Sequence, residues 1–390
     1  MRLLHTADWH LGRRFNHWDL LDDQAAFADW LVELVVAKQI DAVLVAGDVF
    51  DRAVPPQQAV ELADETFARL LSAGVQVVAT SGNHDSAPRL SFGTRAMAAA
   101  GLHIRTERRA SAEIGAALTL TGRDGQTVTV LPVPYLDPLR MDEEEGVART
   151  HHGVVAHVVE RALADWGGDP ASALVLGHAF VAGGVESESE RALSVGGSSL
   201  VDLSAFGGAG YVALGHLHRP QRIGTGEAWY SGSPLAYSFS EEHEKQVRIV
   251  ELTGGAAGTG GAGAFTSSAV AVGVGRRVVT LKGTLDEILN SPAHAAAASA
   301  FVRVQLTDAT HQLGAMEAVR RRFPFAAELA YVELARQPGA ATHELAGAGR
   351  LQPREVIGRY LERSFPGHDA SLVELVERAY ARAASGEDDA

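Results

Sequence analysis

The sequence of 390 residues contains no cysteine. Disulfides, thiolate zinc sites and a cysteine nucleophile are therefore excluded. No uncharged apolar run approaches the roughly 18 residues of a membrane-spanning helix. The N-terminus, MRLLHTADWH, also lacks the basic and then apolar pattern of a signal peptide. These absences predict a cytoplasmic protein without a membrane segment.

Positive charge is scarce, because 34 Lys and Arg residues stand against 48 Asp and Glu residues, for a net charge of −14. This balance argues against a protein that holds nucleic acid by a general basic surface. If the substrate is DNA, bound metals, local Arg clusters or a partner must supply the positive potential. Apolar residues make up 46% and charged residues 21%, which is typical of a folded globular protein.

The first half of the chain alternates predicted strands and helices. Helical periodicity covers about 20–38 and 56–73, and apolar strands run into polar loops in DAVLVAGDVFD and VQVVATSGNHD. This alternation predicts a layered α/β fold, with functional groups at the carboxyl ends of the strands. Three further short strands are predicted, at 127–134, 173–180 and 210–218.

The second half predicts a smaller domain and two terminal helices. VRIVEL and SAVAVGV are typical of two strands of one hairpin, so we interpret the Gly-rich residues 254–264 between them as a flexible hairpin loop. We place the domain boundary near 275. The predicted segments are 1–274 for the main domain, 275–335 for a βαβαβ capping domain, 336–350 for a linker, 351–385 for C-terminal helices and 386–390 for an acidic tail.

Polar motifs follow five of the apolar strands. They are Asp8-Trp9-His10, Gly47-Asp48-Val49-Phe50-Asp51, Gly82-Asn83-His84-Asp85, Gly177-His178 and Gly215-His216-Leu217-His218. Any one of them alone is more often a turn or a surface pair. Together they predict a metal site, because Asp, His and Asn ligands suit manganese, iron or zinc. Alternation along an extended backbone lets Asp8 and His10 converge on one ion.

The order of these motifs is similar to that of the calcineurin-like metallophosphoesterase superfamily. HTADWHLGRRF, AGDVFDRAVPP, TSGNHDSAPRL and ALGHLHRPQ resemble its bacterial branch of nuclease subunits, which work with an SbcC-type ATPase. The resemblance implies an α/β four-layer sandwich of two mixed β-sheets flanked by helices, with a small α+β capping domain and C-terminal helices.

The resemblance also implies two divalent metal ions, preferably Mn²⁺, with Mg²⁺, Fe²⁺ or Zn²⁺ as alternatives. It assigns one ion to Asp8, His10, Asp48 and His218, and the other to Asp48, Asn83, His178 and His216. It makes His84 the catalytic histidine. Asp85 is expected to orient the His84 ring or to adjust its charge. Asp51 is expected to support the metal ligands without binding a metal itself. Two-metal chemistry then predicts phosphodiester hydrolysis by a metal-activated water, without a covalent intermediate.

Two features favour DNA as the substrate. Arginines follow directly on the first three metal motifs and are candidate phosphate contacts, with solvated loop positions as the alternative; they are Arg13, Arg14, Arg52 and Arg89. The βαβαβ module resembles the capping domain that positions DNA in such nucleases. The resemblance therefore implies double-strand exonuclease and single-strand or hairpin endonuclease activity in DNA repair, recombination and replication.

The C-terminal helices, at 353–365 and 371–384, are predicted to bind the SbcC-type ATPase, with packing on the chain's own cap as the alternative. Their candidate contacts are Val356, Tyr360, Leu361, Leu372, Leu375 and Val376. The resemblance implies a homodimer within a two-plus-two complex. Two other functions stay open at this point: a calcineurin-like phosphodiesterase or phosphomonoesterase acting on a small nucleotide, and a non-catalytic metal-bound scaffold subunit.

Overall fold

The computed structural model describes residues 1–106, 114–140, 147–190, 199–253, 264–332, 358–359, 361–362 and 369–385. The chain divides into two compact units, Met1–Arg277 and Val278–Ala390. Within the described residues, no helix is both long and apolar enough to span a membrane.

The first unit alternates strands and helices along its first half and is mostly strands thereafter. Its strands are β1 (Arg2–Thr6), β2 (Arg14–Phe15), β3 (Trp18–Asp19), β4 (Ala42–Val45), β5 (Gln76–Thr80), β6 (Leu102–Arg105), β7 (Leu118–Thr121), β8 (Thr127–Val133), β9 (Ala173–His178), β10 (Phe180–Val181), β11 (Leu200–Val201), β12 (Tyr211–Gly215), β13 (Gln221–Arg222), β14 (Ala228–Tyr230), β15 (Gln246–Thr253) and β16 (Ala264–Ala271). Its helices are α1 (Leu21–Ala37), α2 (Gln57–Ser72), α3 (Ala87–Leu90), α4 (Thr94–Ala99) and α5 (His151–Trp166), with 3₁₀ turns at Pro170–Ser172 and Leu203–Phe206.

Two mixed six-stranded sheets form the body of this unit. The first has the order β16-β15-β1-β4-β5-β6 and the second β13-β14-β12-β9-β8-β7. Neighbours among β1, β4, β5 and β6 run parallel, as do neighbours among β8, β9, β12 and β14. Strands β15 and β16 pair antiparallel from Gln246↔Ala271 to Thr253↔Ala264, and residues 254–263 of the predicted loop lie outside the described part of the chain.

Alternating side chains divide the core into layers. In β1, Leu4 packs with Phe27 and Leu31 of α1, whereas Leu3 packs with residues of both sheets, including Leu174. Helix α5 covers the other face of the second sheet through Val154, Val155, Val158 and Val159. The layers are therefore helix, sheet, sheet and helix, and the predicted α/β sandwich of two mixed sheets flanked by helices is confirmed.

The second unit contains a three-stranded parallel sheet in the order β17 (Val278–Gly283), β18 (Phe301–Leu306) and β19 (Ala326–Tyr331). Helices α6 (Leu285–Asn290) and α7 (Ala315–Arg322) connect the strands, with a 3₁₀ segment at Pro292–Ser299. Its core includes Val302, Val304 and Phe323. In the basic run of α7, Arg320 donates to the Ala326 carbonyl and Arg322 to the Ile288 and Ser291 carbonyls, so both are structural here.

The last described element is α8 (Ala370–Ser385), where the sequence predicts a helix at 371–384. Leu372 and Val376 are half-buried, and Leu375 is 57% exposed. Of the other predicted helix, residues 358–359 and 361–362 are described as helical, with Leu361 buried. The candidate contacts Val356 and Tyr360, the predicted linker and the acidic tail lie outside the described residues.

Candidate metal centre

The topology explains why distant polar side chains meet. Strands β1, β4 and β5 run parallel in the first sheet, and β9 and β12 run parallel in the second. The carboxyl ends of parallel neighbours lie at one edge of a sheet, and there the predicted ligands are found. The two sheets present these edges to each other, since the backbone N–H of His216 donates to the Asp8 carboxylate at 3.0 Å.

One cluster contains Asp8, His10 and His218, whose ligand atoms all lie within 4.8 Å of one another. The Nε2 atoms of His10 and His218 are 3.1 Å apart. All three side chains are buried. Asp48 approaches the same cluster, with its Oδ2 atom 3.6 Å from His10 Nε2.

A second cluster lies on the other side of Asp48. Asn83 Oδ1 is 3.0 Å from His178 Nε2 and 3.2 Å from His216 Nδ1. The Asp48 Oδ2 atom is 3.5 Å from His178 Nε2. The structure thus brings together all seven predicted metal ligands, with one oxygen of Asp48 lying between the two histidine sets.

The backbone at these ligands is strained. Among the described residues, six that are not glycine have positive φ, and four of them are predicted ligands: Asp8 at 54°, His10 at 44°, Asp48 at 51° and His216 at 110°. A side chain in this region clashes with its own backbone at a cost of about 1–2 kcal/mol. Such outliers cluster at functional sites, where the surrounding structure holds them.

Two glycines allow the strand ends to approach this closely. Gly47 has φ +80°, and a Cβ atom there would overlap the His178 ring. A Cβ atom at Gly82 would overlap the Asp48 carboxylate. The glycine that precedes each of these ligand motifs therefore makes room for a ligand of the neighbouring motif.

The charges and donors of the centre fit divalent cations. Burial and the nearby Asp48 carboxylate raise the pKa of Asp8 well above its usual range. Burial lowers the pKa of His10 well below its usual range, and the adjacent His218 ring and Arg13 guanidinium lower this pKa further. His10 Nδ1, Asn83 Nδ2 and His216 Nε2 are buried without a hydrogen-bond partner. Buried adjacent carboxylates and neutral imidazoles are the donor set that manganese, iron or zinc accepts.

His84 lies beside the ligand clusters and is oriented by Asp51. Its Nδ1 atom is 2.7 Å from the Asp51 backbone carbonyl, so Nδ1–H donates to it and Nε2 is the ring nitrogen that remains available. His84 also forms a possible ligand group with His10 and Asp48. The Asp51 carboxylate pairs with Arg13 at 3.2 Å and with Arg52 at 3.3 Å.

The hydrogen bonds of Asp85 go to the backbone and not to the His84 ring. Its carboxylate accepts hydrogen bonds from the backbone N–H groups of Gly82, Phe50 and Val49, at 2.9, 2.9 and 3.2 Å, and does not contact the His84 ring. Burial and the nearby Asp48 raise the pKa of Asp85 to about 7. Asp85 therefore ties two ligand-bearing loops together, and the orienting contact to His84 comes from Asp51.

A cavity of about 1070 Å³ opens at His84 and Asn83. Arg13, Arg14 and Arg52, three of the four arginines predicted as DNA contacts, line it. Arg13 is largely engaged, because it donates to Asp51 and to the Ser189 carbonyl, whereas the Arg52 side chain is 69% exposed. Arg89 does not line this cavity but an adjacent apolar groove.

Several residues of the site have no counterpart in the sequence prediction. Tyr135 and Arg140 line the same cavity, and they follow β8 in the run YLDPLR. Ser189, Glu190 and Glu241 surround His218. The strand end before Tyr135 was a usable signal, but the residues around His218 follow no strand and carry no local pattern.

Comparison with known proteins identifies the class. Residues 1–220, more than half of the chain, match the calcineurin-like phosphoesterase family, and the chain belongs to that family. Residues 274–365 match the family described as the type 5 capsule protein repressor C-terminal domain.

The curated relatives define a narrower group. The D subunit of nuclease SbcCD from Rhodobacter capsulatus is 39% identical over 276 residues, covering 66% of this chain and 68% of that protein. Its counterpart from Bacillus subtilis is 37% identical over 274 residues, covering 65% and 67%. That of Staphylococcus saprophyticus is 34% identical over 254 residues, covering 65% and 66%. The chain belongs with these SbcCD D subunits, and the resemblance seen in its motifs is confirmed.

Proposed function

We propose that the chain is a metal-dependent nuclease subunit that hydrolyses phosphodiesters of DNA together with an SbcC-type ATPase. The observation that carries this proposal is the position of Asp48 between two buried ligand sets, at an arginine-lined cavity. The relatives, each named as the D subunit of nuclease SbcCD, support the same substrate and the same partner.

In this proposal Asp8, His10, Asp48 and His218 would hold one divalent ion, and Asp48, Asn83, His178 and His216 would hold the other. When bound, the two cations neutralise phosphodiester charge and lower the pKa of a bound water toward neutrality. Manganese is the proposed ion, and Mg²⁺, Fe²⁺ or Zn²⁺ suit the same ligands.

The chain's own residues have separate tasks. The Nδ1–H of His84 donates to the Asp51 carbonyl, so Nε2 is the atom from which a protonated His84 would give its proton to the leaving oxygen. Arg14, Arg52 and Arg140 offer donors to the phosphates on either side of the scissile bond. Arg13 holds the Asp51 carboxylate and the loop at Ser189 in place.

The biological setting is also part of the proposal. We infer double-strand exonuclease and single-strand or hairpin endonuclease activity in DNA repair, recombination and replication, by two such subunits with two ATPase subunits. Val278–Gly283, Phe301–Leu306 and Ala326–Tyr331 would carry the DNA-positioning cap, and α8 would contribute to the ATPase contact. A cytoplasmic location stays a prediction from the sequence.

The deciding experiment supplies purified chain and Mn²⁺ with linear duplex DNA, a generic phosphodiester and a phosphomonoester, with and without the ATPase. Cleavage of DNA well above the other two substrates supports the proposal. Cleavage of the small substrates alone would favour a small-nucleotide esterase. Failure to cleave any of them, with two metal ions bound, would favour a metal-bound scaffold.

A further inference from the structure

A buried polar network lies behind His218, on the side away from His10. Ser189 Oγ is 2.6 Å from His218 Nδ1 and 2.5 Å from Glu241 Oε1. Glu241 is 1% exposed and forms an ion pair with Lys245, whose ammonium also donates to the His218 carbonyl at 3.2 Å. These contacts connect a buried ion pair to one predicted metal ligand.

The proton positions in this network follow from its chemistry. An ionised Glu241 opposite Lys245 can only accept hydrogen bonds, so the single hydroxyl proton of Ser189 is directed to Glu241. The Ser189 oxygen can then only accept from His218, which places the imidazole proton on Nδ1. The Nε2 atom of His218 therefore carries the free lone pair, and this is the atom that lies 3.1 Å from His10 Nε2.

Ser189 is itself held from two sides. Arg13 donates to the Ser189 carbonyl at 3.1 Å, and the neighbouring Glu190 carboxylate accepts from the His218 backbone N–H at 2.8 Å. Ser187 is two residues away in the same segment and contacts Ser189, Glu190 and Glu241 but not His218. The segment 187–190 is thus fastened both to the His218 loop and, through Arg13, to Asp51.

We infer that Ser189, held by Glu241, is a positioning residue that fixes the tautomer and ring orientation of His218 and so sets the affinity for one of the two metal ions. The inference rests on the proposed two-metal function. Groups that accept the second N–H of a metal-bound histidine are typically worth 10–100-fold in metal affinity. His178, assigned to the other ion, uses the Ala46 carbonyl at 2.9 Å for the same purpose, so that ion does not depend on Ser189.

The test is a Mn²⁺ titration of the full chain, in which binding is measured by calorimetry and by Mn²⁺ electron paramagnetic resonance. Wild type is expected to bind two ions. Ser189→Ala should weaken one of them by about 10–100-fold and leave the other unchanged. Ser189→Thr, which keeps the hydroxyl, should bind both ions as wild type does. Ser187→Ala is the matched control, because it removes a hydroxyl of the same network that does not contact His218, and it should also bind both ions.

Glu241→Gln gives a second and independent reading, since it removes the charge that orients the Ser189 proton while keeping the side-chain size. It should weaken the same ion as Ser189→Ala. Unchanged affinity in both variants, or equal weakening of both ions, would overturn the inference while two ions on the wild type still supported the proposed function. A wild-type chain that bound no Mn²⁺ would overturn both. Circular dichroism of each metal-free variant verifies that the fold is retained.

Discussion

The Nε2 atom of His5 lies 3.1 Å from the backbone carbonyl oxygen of Leu214 and so joins the two central sheets. A carbonyl can only accept, so Nε2 carries the proton and Nδ1, at 3.2 Å, accepts from the Tyr211 hydroxyl. Burial and the nearby Arg248 guanidinium lower the pKa of His5 to about 3. The ring is therefore neutral in the folded protein, because a proton on Nδ1 would remove the acceptor of the Tyr211 hydroxyl and place a buried charge near Arg248.

This contact predicts a pH-dependent stability. The folded pKa of His5, about 3, lies below the unfolded value of about 6.5, so the unfolded chain binds more protons between these values. The stabilisation is fully present above about pH 6.5 and is lost as the pH falls below it, by at most about 1.4 kcal/mol per pH unit. Urea unfolding from pH 7.5 to 5 with a metal chelator should show a shallower slope in His5→Gln than in wild type. The exposed His17→Gln serves as the control, and equal slopes in all three proteins would refute the prediction.

His84 is expected to act in catalysis and not in metal binding. His84→Gln should lower the rate of DNA cleavage by about 10²–10⁴-fold, because the proton exchange at Nε2 is lost. The same variant should still bind two Mn²⁺ ions in a titration. Loss of one ion would instead make His84 a ligand, which its position near His10 and Asp48 would allow.

Removal of the metal ions should destabilise the first unit, and this effect should depend on Asp48, the ligand proposed to be shared by both ions. At a Mn²⁺ concentration of 100 times the Kd, one bound ion stabilises a folded protein by about 2.7 kcal/mol. Chelation should therefore lower the melting temperature of wild type, whereas Asp48→Asn should melt at the same temperature with and without Mn²⁺. Asp51→Asn, beside the ligands but not among them, should keep the response. A full Mn²⁺ response in Asp48→Asn would rule out a bridging role for Asp48.

Gly47 should tolerate no side chain. Gly47→Ala meets both the strain of φ +80° and an overlap with the His178 ring, so we expect a loss of roughly 1–3 kcal/mol and weaker binding of one ion. Gly74→Ala is a matched control, because Gly74 has φ +77° but no atom within 4 Å of the added Cβ. Its cost should be limited to about 1 kcal/mol of backbone strain. If Gly47→Ala and Gly74→Ala had equal effects in thermal melting and in Mn²⁺ titration, the overlap with the His178 ring would have no measurable cost.

The contribution of each arginine to DNA binding should depend on which cavity its side chain lines. Arg52 and Arg140 line the site cavity, so Arg52→Gln or Arg140→Gln should reduce the slope of log affinity for DNA against log salt by about 1. Arg89 lines the adjacent apolar groove, and Arg89→Gln should leave the slope unchanged. Binding of a non-cleaved duplex at several salt concentrations measures this. If only Arg89→Gln reduced the slope, DNA would instead follow the adjacent apolar groove that Arg89 lines.

The sequence allowed much of the fold and the ligand set to be predicted, because both depend on local patterns. Apolar periodicity at 20–38 predicted helix α1, found at Leu21–Ala37, and each ligand follows an apolar strand end. Helix α5, His151–Trp166, was missed, since its paired valines at 154–155 and 158–159 are β-branched and obscure the helical signal.

Contacts between distant loops could not be predicted in the same way. Asp85 was assigned to the adjacent His84 ring, yet its carboxylate accepts from the backbones of Phe50 and Gly82. Glu241 lies 23 residues after His218 along the chain, and nothing in either local sequence indicates that Ser189 connects them. Such pairings arise from the three-dimensional path of loops, which propensity and periodicity do not encode.

The left-handed backbone at Asp8, His10, Asp48 and His216 places the proposed metal ligands but lowers the stability of the fold. Glycine at any of these positions would relieve the strain and remove a ligand in one step. Selection of random variants for heat resistance alone, in a metal chelator that removes the stabilisation by bound ions, should therefore accumulate changes at these positions and yield robust but inactive proteins. Engineering a more durable form of this protein should accordingly leave the centre untouched and seek its gains in the surrounding layers.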